Sequence, residues 1–161
     1  MTLFIDVDGV LRDLSFAAFE RPACTWQDTD YNGNTLVDIV NKNLNLCLNA
    51  NPTPYLKVIK DFHKYKGIEM LILTSQPKTW RVNTELWLSL YLEDYSIIYA
   101  KTSNEKLGHL KQGDYLIDDS PMFWKFDQII MPDYIYNRGV NPLYRVMNPE
   151  ELEVILRGLD I

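Results

Sequence analysis

The sequence predicts an α/β fold built on an open parallel sheet with helices on both faces. Five short apolar segments typical of buried strands alternate with stretches of helical periodicity: residues 3–7, 69–73, 96–100, 115–117 and 128–131. This alternation is typical of parallel α/β sheets. Three of these segments end in polar or acidic side chains, and ligands of open α/β sheets bind beyond the carboxyl ends of the strands. We therefore expect a functional site at that edge.

The first segment carries the most informative pattern. An apolar strand, residues 3–5, is followed by Asp6 and Asp8, and Gly9 then supplies a turn. Residues two apart on a strand leave it on the same side, unless the turn intervenes. Two carboxylates this close raise each other's pKa, so a divalent cation, a shared proton or a basic neighbour must offset the repulsion. The alternative is that both are ordinary turn residues, because Asp and Gly are common where strands end.

The connection between the first two strands is unusually long. About 60 residues lie there, far more than a plain crossover needs. We expect a small helical cap inserted over approximately residues 13–54, then a crossover helix over residues 55–65. Within the cap, residues 35–48 have near-helical apolar spacing and predict one helix, and Pro52 and Pro54 mark a break after it.

Two further helices are predicted after the second strand. Residues 79–91 carry apolar side chains at helical spacing. Asn148 and Pro149 begin the last helix, because Asn caps a helix well, Pro fits its first turn, and the two acids that follow favour its positive end. From Asp133 onward the chain carries no functional motif.

A second acidic pair, Asp118 and Asp119, directly follows the predicted strand 115–117. Three or four carboxylates gathered at one edge of a sheet suit Mg²⁺, which prefers hard oxygen ligands and keeps positions that water or phosphate oxygens fill. The alternative for this pair is a helix cap or a surface turn before Pro121.

Two other strand ends carry groups that suit a phosphate. Thr74 and Ser75 close the second strand, where a hydroxyl and free backbone amides can hold a phosphate oxygen. Lys101 and Lys106 follow the third strand, and a lysine aimed at the site would neutralise phosphate charge. Each of these residue types is also common in ordinary turns and on protein surfaces. They therefore indicate a phosphate site only when they are taken together.

Taken in order, DVDGVL, LILTSQP, a lysine and GDYLIDDSP resemble the haloacid dehalogenase-like hydrolase superfamily, and most closely its 5'(3')-deoxyribonucleotidase branch. The motifs span residues 4–121. The resemblance implies a Rossmann-like sheet with a small helical cap after the first strand. It also implies a Mg²⁺-dependent phosphatase that works through an aspartyl-phosphate intermediate, a 5'-nucleotidase acting on nucleoside or deoxynucleoside monophosphates.

The resemblance further implies a role for each acidic residue. Asp6 is expected to be the nucleophile, and Asp8 the general acid for the leaving alkoxide and the general base for the attacking water. The Asp6 carboxylate, the Asp8 backbone carbonyl and Asp118 are expected to hold Mg²⁺, with Asp119 as a nearby support.

The phosphate ligands follow from the same resemblance. Thr74 is expected to hydrogen-bond the phosphate with help from the Ser75 amide, and a lysine to complete the charge clamp. Related enzymes place this lysine about ten residues before the acidic pair, whereas Lys106 and Lys101 lie 12 and 17 residues before Asp118. We favour Lys106, and Lys101 is the runner-up.

Aromatic residues of the cap are candidates for the substrate pocket. Phe16, Phe19 and Trp26 lie in the predicted cap, and Trp80 follows Thr74 closely. Such side chains can stack on a nucleobase. Taken singly, an aromatic residue of this kind is more often a packing residue of the core or the cap than a base-stacking residue.

Composition narrows the setting. The 161 residues, 1–161, fit a single domain, and the net charge of −6 with a pI near 4.9 argues against an extended nucleic-acid surface. Cys24 and Cys47 lack the spacing of a metal or redox motif, which favours reduced thiols and a cytoplasmic location. No stretch is long enough for a membrane span. The expected partner is a small phosphorylated substrate such as a nucleoside monophosphate, and the oligomeric state is left open.

Two other interpretations stay open. One is a phosphatase for a sugar phosphate or for a phosphorylated nucleic-acid end. The other is a binding or regulatory protein that keeps the fold without turnover. Asp8 distinguishes an enzyme from a binding or regulatory protein, because a protein without turnover does not need a second carboxylate two residues after Asp6.

Overall fold

One sheet of six parallel strands organises the chain, and the computed structural model describes residues 1–66 and 68–159 of it. In chain order the strands are β1 (Thr2–Ile5), β2 (Glu69–Thr74), β3 (Ser96–Tyr99), β4 (Tyr115–Ile117), β5 (Ile129–Pro132) and β6 (Tyr144–Val146). Their spatial order is β3-β2-β1-β4-β5-β6, with every pairing parallel. The predicted fold class is confirmed.

The helices cover this sheet and fill the long connection after β1. In chain order they are α1 (Leu14–Phe19), α2 (Leu36–Lys42), α3 (Asn45–Asn49), α4 (Tyr55–Lys66), α5 (Arg81–Tyr91), α6 (Ser103–Leu107) and α7 (Pro149–Gly158). Short 3₁₀ turns occur at Lys78–Trp80, Pro121–Phe123 and Ile135–Asn137. Among the described residues, no helix combines the length and the apolar character that crossing a bilayer requires.

Strand β1 lies in the middle of the sheet, between β2 and β4. The chain builds outward from β1 to β3 on one side, then crosses over and continues from β4 to β6 on the other. The gap between β1 and β4 is therefore the topological switch point, where α/β proteins bind ligands.

The five predicted strands are present with ends shifted by at most two residues. The sixth strand, β6, was not predicted. It has only three residues and Arg145 at its centre, so it carries no apolar run. Strand β1 ends at Ile5, because the backbone turns there and the Val7 carbonyl accepts hydrogen bonds from the amides of Leu11 and Arg12.

The core has two layers because side chains alternate along β1. Leu3 and Ile5 pack on one face with residues of α4, α5 and α7, whereas Phe4 packs on the other face with Leu116 and Phe123. Helix α6 and the 3₁₀ turn Pro121–Phe123 cover that second face. The prediction of helices on both faces of the sheet is confirmed.

The prediction of one helix over residues 35–48 is wrong. Helix α2 ends at Lys42, the next residue Asn43 leaves the helical region with φ −143° and ψ 82°, and α3 begins at Asn45. Leu36 and Leu44 pack onto one cluster with Val40 and Cys47, whereas Leu48 packs onto the main core. Asn favours such a break, since its side chain competes with helical backbone hydrogen bonds.

The last helix begins where the sequence predicts. The Asn148 side chain accepts a hydrogen bond from the Glu151 amide at 2.9 Å, and Pro149 occupies the first turn. Helix α7 packs against α4 through Leu152 and Leu156, both fully buried.

Leu152→Ala is expected to lower the free energy of unfolding by about 2–5 kcal/mol, because it removes a buried side chain and leaves a cavity between α7 and α4. Val154, 70% exposed on the same helix, provides the control, and Val154→Ala should change stability by less than about 0.5 kcal/mol. Urea denaturation measures both. Similar losses from the two variants would contradict the docking of α7.

Candidate active site

The candidate site lies at the carboxyl ends of β1, β2 and β4. The Asp6 amide donates to the Ile117 carbonyl at 3.0 Å, which extends the pairing of β1 and β4 by one residue. Asp6 therefore stands beside Asp118, the residue that follows β4. Thr74, the last residue of β2, is buried next to them at the same edge of the sheet.

Three carboxylates meet at this edge. Oxygen atoms of Asp6, Asp118 and Asp119 all lie within 4.8 Å of one another, and all three residues are buried. Burial raises the pKa of the Asp6 carboxyl to about 6, with Lys106 opposing the rise and Asp118 adding to it. Burial, followed by the charges of Asp118 and Asp6, raises the pKa of Asp119 well above its usual value. The protein by itself therefore disfavours full ionisation of the cluster.

Lys106 is the basic partner of this cluster. Its Nζ atom lies 2.8 Å from Asp6 Oδ2 and 2.8 Å from Asp118 Oδ2. Burial alone lowers the pKa of Lys106, but Asp118 and Asp6 outweigh burial and raise it above the usual value. The side chain reaches the cluster from α6, which begins at Thr102 with a side-chain cap on the Glu105 amide.

The alternative lysine lies outside the site. Lys101 is exposed on the loop after β3, and its backbone amide donates to the Glu105 carboxylate at 2.8 Å. It is not among the described residues that line the cavity above the carboxylates. The geometry thus joins Lys106, and not Lys101, to Asp6 and Asp118.

The cluster has the charge and the donor atoms of a divalent cation site. Three carboxylates against one ammonium leave a formal charge of −2, and hard carboxylate oxygens are the ligands that Mg²⁺ prefers. Gly9 makes room for one of the carboxylates. A side-chain Cβ at Gly9 would lie 2.0 Å from Asp119 Oδ2, and the φ of +82° also favours glycine. The residues present therefore fit the expected metal.

Tyr136 is a site residue that the sequence did not reveal. Its hydroxyl donates a hydrogen bond to Asp119 Oδ2, and burial together with Asp119 raises the pKa of Tyr136, so the hydroxyl stays a donor. Asn137 holds the same region through a 3.0 Å bond from Nδ2 to the Asp119 carbonyl. Both residues lie in the stretch after Asp133, where no local pattern points to the site.

The Asp8 side chain does not join the other carboxylates. Arg12 Nε donates to Asp8 Oδ1 at 2.8 Å, and Arg12 Nη2 and Gln76 Nε2 donate to Asp8 Oδ2 at 3.2 and 2.7 Å. The turn separates the two side chains of the motif, as the Gly9 amide bonds back to the Arg12 carbonyl at 2.8 Å. Arg12 follows Asp8 by four residues, but in a turn and not in a helix, so the helical i, i+4 rule does not predict this pair from sequence.

Hydroxyl groups complete the edge. Ser75 Oγ lies 3.3 Å from Ser103 Oγ, and both residues line the same cavity as Thr74, Asp6 and Lys106. Sequence analysis had identified Thr74 and Ser75 but not Ser103, because a serine at the start of a short helix is unremarkable.

A cavity of about 600 Å³ opens above these groups, a size typical of small-molecule sites. Part of its wall comes from the long connection between β1 and α4, here called the inserted segment, and includes Phe19 and Trp26. Phe16 does not line it and is 47% exposed. Trp80 lines the cavity but is buried, with its Nε1 bonded to Asn41 Oδ1 at 2.8 Å.

Trp26 offers the most accessible of the predicted aromatic surfaces in the cavity. It is 43% exposed, and its ring centroid lies 5.7 Å from that of Tyr136 at an interplanar angle of 50°. Tyr136 stacks in turn on Tyr134 at 5.2 Å. Tyr136 is the middle ring of this row of three, and it links the aromatic wall of the cavity to Asp119.

The raised pKa of Asp6 predicts how stability changes with pH. The native carboxyl, with a pKa of about 6, binds its proton more tightly than the unfolded chain, where the pKa is 3.8. Stability should therefore fall as pH rises from about 4 to about 6, and this loss should persist above that range. In metal-free protein we expect the wild type to lose free energy of unfolding relative to Asp6→Asn across this window, as measured by denaturant titration.

If the free energies of unfolding of wild type and Asp6→Asn changed with pH in the same way, ionisation of Asp6 would not destabilise the fold, and the prediction would be wrong. Adding Mg²⁺ at pH 7 should stabilise the wild type more than Asp6→Asn, because the stability that a native-state ligand adds increases with the logarithm of its concentration divided by its Kd.

No protein-family model matches the sequence, and no curated protein matches it. Solved structures do match its fold. A structure from Thermotoga maritima, described as a beta-phosphoglucomutase, superposes with a TM-score of 0.56 at 16% identity, covering 97% of this chain and 98% of the other. A hydrolase from Pseudomonas syringae superposes with a TM-score of 0.59 at 13% identity, covering 98% of each chain.

At these identities the likeness shows the fold alone. It is the α/β Rossmann-like fold with one parallel sheet that the sequence predicts. Neither structure is described as a nucleotidase, so the narrower resemblance to the deoxyribonucleotidase branch stays a prediction. The chain therefore has an open, all-parallel α/β Rossmann-like fold, and the haloacid dehalogenase-like superfamily as a whole also stays a prediction from the sequence motifs.

Proposed function

We propose that this chain is a Mg²⁺-dependent phosphomonoesterase that forms an aspartyl-phosphate on Asp6, and that its substrate is a nucleoside or deoxynucleoside monophosphate. The observation that carries the proposal is the buried cluster of Asp6, Asp118 and Asp119 paired to Lys106 at the switch point of the sheet. A purely structural role for this cluster is poorly supported, since burying several charges costs free energy.

Asp6, Asp118 and the backbone carbonyl of Asp8 would hold the cation, with Asp119 in support. When bound, Mg²⁺ neutralises phosphoryl oxygens and so lowers the repulsion between an anionic nucleophile and an anionic substrate. Tyr136 orients the supporting carboxylate through its hydrogen bond to Asp119.

The first chemical step belongs to Asp6. Its carboxylate attacks phosphorus and the bond from phosphorus to the leaving oxygen breaks, while Asp8 donates a proton to that oxygen. The Val7 amide donates to Asp6 Oδ1 at 2.8 Å and fixes the orientation of the carboxylate before attack. Lys106 and Thr74 stabilise the charge of the transferring phosphoryl group.

The second step regenerates the enzyme. Water attacks phosphorus and gives up its proton to Asp8, the bond between phosphorus and the Asp6 oxygen breaks, and inorganic phosphate leaves. The proton from water thus replaces the one that Asp8 gave to the leaving group, and Asp8 ends the cycle as it began.

Charge and shape support a monophosphate with a flat ring. Of the described residues that line the cavity, Lys106 is the one lysine or arginine, so a second phosphate would find no cationic partner. The exposed ring of Trp26 supports stacking of a nucleobase. We propose that the inserted segment acts as the cap that selects this leaving group.

The proposal predicts phosphate release from nucleoside monophosphates that requires Mg²⁺ and exceeds release from the matching diphosphates. Asp6→Asn should lower kcat by about 10⁴-fold or more, because it removes the nucleophile. Asp61→Asn, a half-exposed carboxylate on α4, is the matched control and should keep full activity. A phosphate-release assay measures all three proteins.

Several outcomes would change the assignment. Substantial activity of folded Asp6→Asn would refute the nucleophile. Release from sugar phosphates or from phosphorylated nucleic-acid ends, but not from nucleotides, would replace the substrate class. Metal binding without turnover on any phosphate monoester would favour a binding or regulatory protein.

The two lysines make a separate prediction. Lys106→Met should lower kcat/KM by about 10²-fold or more, since it removes a charge from the phosphate site, whereas Lys101→Met should leave it nearly unchanged. Circular dichroism with and without Mg²⁺ checks that Lys106→Met folds despite its unpaired carboxylates. Equal, modest losses from both variants would contradict the assignment.

A further inference from the structure

The Asp8 carboxylate is held by a clamp that consists of Arg12 and Gln76. Arg12 donates to both carboxylate oxygens, through Nε at 2.8 Å and Nη2 at 3.2 Å, and Gln76 Nε2 donates to Oδ2 at 2.7 Å. Arg12 is fully buried and Gln76 is 9% exposed, whereas the Asp8 side chain keeps 22% exposure and lines the cavity. Arg12 and Gln76 thus hold the Asp8 carboxylate by hydrogen bonds, and its remaining surface stays accessible from the cavity.

We infer that Arg12 and Gln76 are positioning residues that aim the Asp8 carboxylate at the leaving oxygen of the substrate, an inference that rests on the proposed function. Proton transfer needs heavy atoms within about 2.6–3.2 Å, so a freely rotating carboxylate would spend little time in the productive place. A fork of two parallel donors fixes both the position and the plane of a carboxylate.

Arg12 has little freedom of its own. Its Nη1 donates to the Cys47 carbonyl at 2.6 Å and its Nη2 to Thr84 Oγ1 at 3.2 Å, and its guanidinium lies 5.6 Å from the centre of the Trp87 ring. Cys47 belongs to α3 of the inserted segment, whereas Thr84 and Trp87 belong to α5. The position of Asp8 therefore depends on the packing of α3 against α5.

Gln76 adds an independent observation. Its Oε1 is buried and has no hydrogen-bond partner among the residues that the structure describes. An unpaired buried acceptor costs free energy, so its retention needs a reason. The hydrogen bond that Nε2 donates to Asp8 supplies that reason, because it holds the Gln76 amide in place while Oε1 goes unpaired.

If the clamp only stabilised the fold, its loss would slow all phosphate monoesters alike. If it positions Asp8, its loss would slow mainly those substrates whose leaving group needs a proton. A nitrophenolate leaves without a proton, whereas an alkoxide needs one, so loss of the acid slows alkyl phosphates far more than p-nitrophenyl phosphate. The ratio kcat/KM covers the steps up to phosphoryl transfer. It therefore reports the acid role and is independent of the later hydrolysis of the aspartyl-phosphate.

The test compares wild type, Gln76→Leu and Arg12→Lys, with Asp8→Asn as the reference for complete loss of the acid. With Mg²⁺ present, we expect kcat/KM for an alkyl monophosphate to fall about 10-fold or more in both clamp variants, and kcat/KM for p-nitrophenyl phosphate to change by less than about 3-fold. Hydrolysis of the intermediate also needs Asp8, so both variants should show a burst of nitrophenolate before a slower steady state.

Equal losses of kcat/KM on the two substrates, without a burst, would overturn the inference and leave the clamp a structural ion pair. If Arg12→Lys fails to fold, Gln76→Leu alone tests the inference, because the bond that it removes joins Gln76 only to Asp8, whereas Arg12 also bonds α3 and α5. A wild-type protein that releases phosphate from neither substrate would instead overturn the proposed function, and the inference with it.

Discussion

The concentration of negative charge at the carboxyl ends of β1 and β4 is the constraint on which the rest of the site depends. Asp6, Asp118 and Asp119 are buried within 4.8 Å of one another, and one ammonium, that of Lys106, offsets only part of their charge. Neighbouring features accommodate this arrangement. Gly9 leaves space for Asp119 that any larger residue would fill, and Lys106 reaches the cluster from α6, the helix that follows β3. The remaining charge matches a divalent cation.

The first motif places two carboxylates two residues apart, yet the structure gives them different surroundings. Asp6 lies in the buried cluster, where burial raises its pKa, whereas Asp8 is turned to Arg12 and Gln76. Enzymes that use two carboxylates for different roles separate them in this way, through their environments. The physical origin is the turn after β1, whose backbone hydrogen bonds send the second side chain away from the first.

The inserted segment lines part of the cavity, and it is also linked to the Asp8 carboxylate through Arg12. Arg12 joins the Asp8 carboxylate to the Cys47 carbonyl on α3 and to Thr84 on α5. A change in the packing of the insertion is therefore transmitted to the proposed acid through a few hydrogen bonds. In the proposed mechanism, the segment that selects the leaving group would then also position the carboxylate that protonates it.

The sequence by itself determined the features that depend on local pattern. Apolar runs located five strands, Asn148 and Pro149 located the last helix, and acidic residues at strand ends indicated a shared edge. Tertiary structure alone decided the three-residue strand β6, the hydrogen bond from Gln76 to Asp8 and the hydrogen bond from Tyr136 to Asp119. Those depend on contacts between residues that are far apart in the chain, and such contacts form only when the sheet and the insertion pack together.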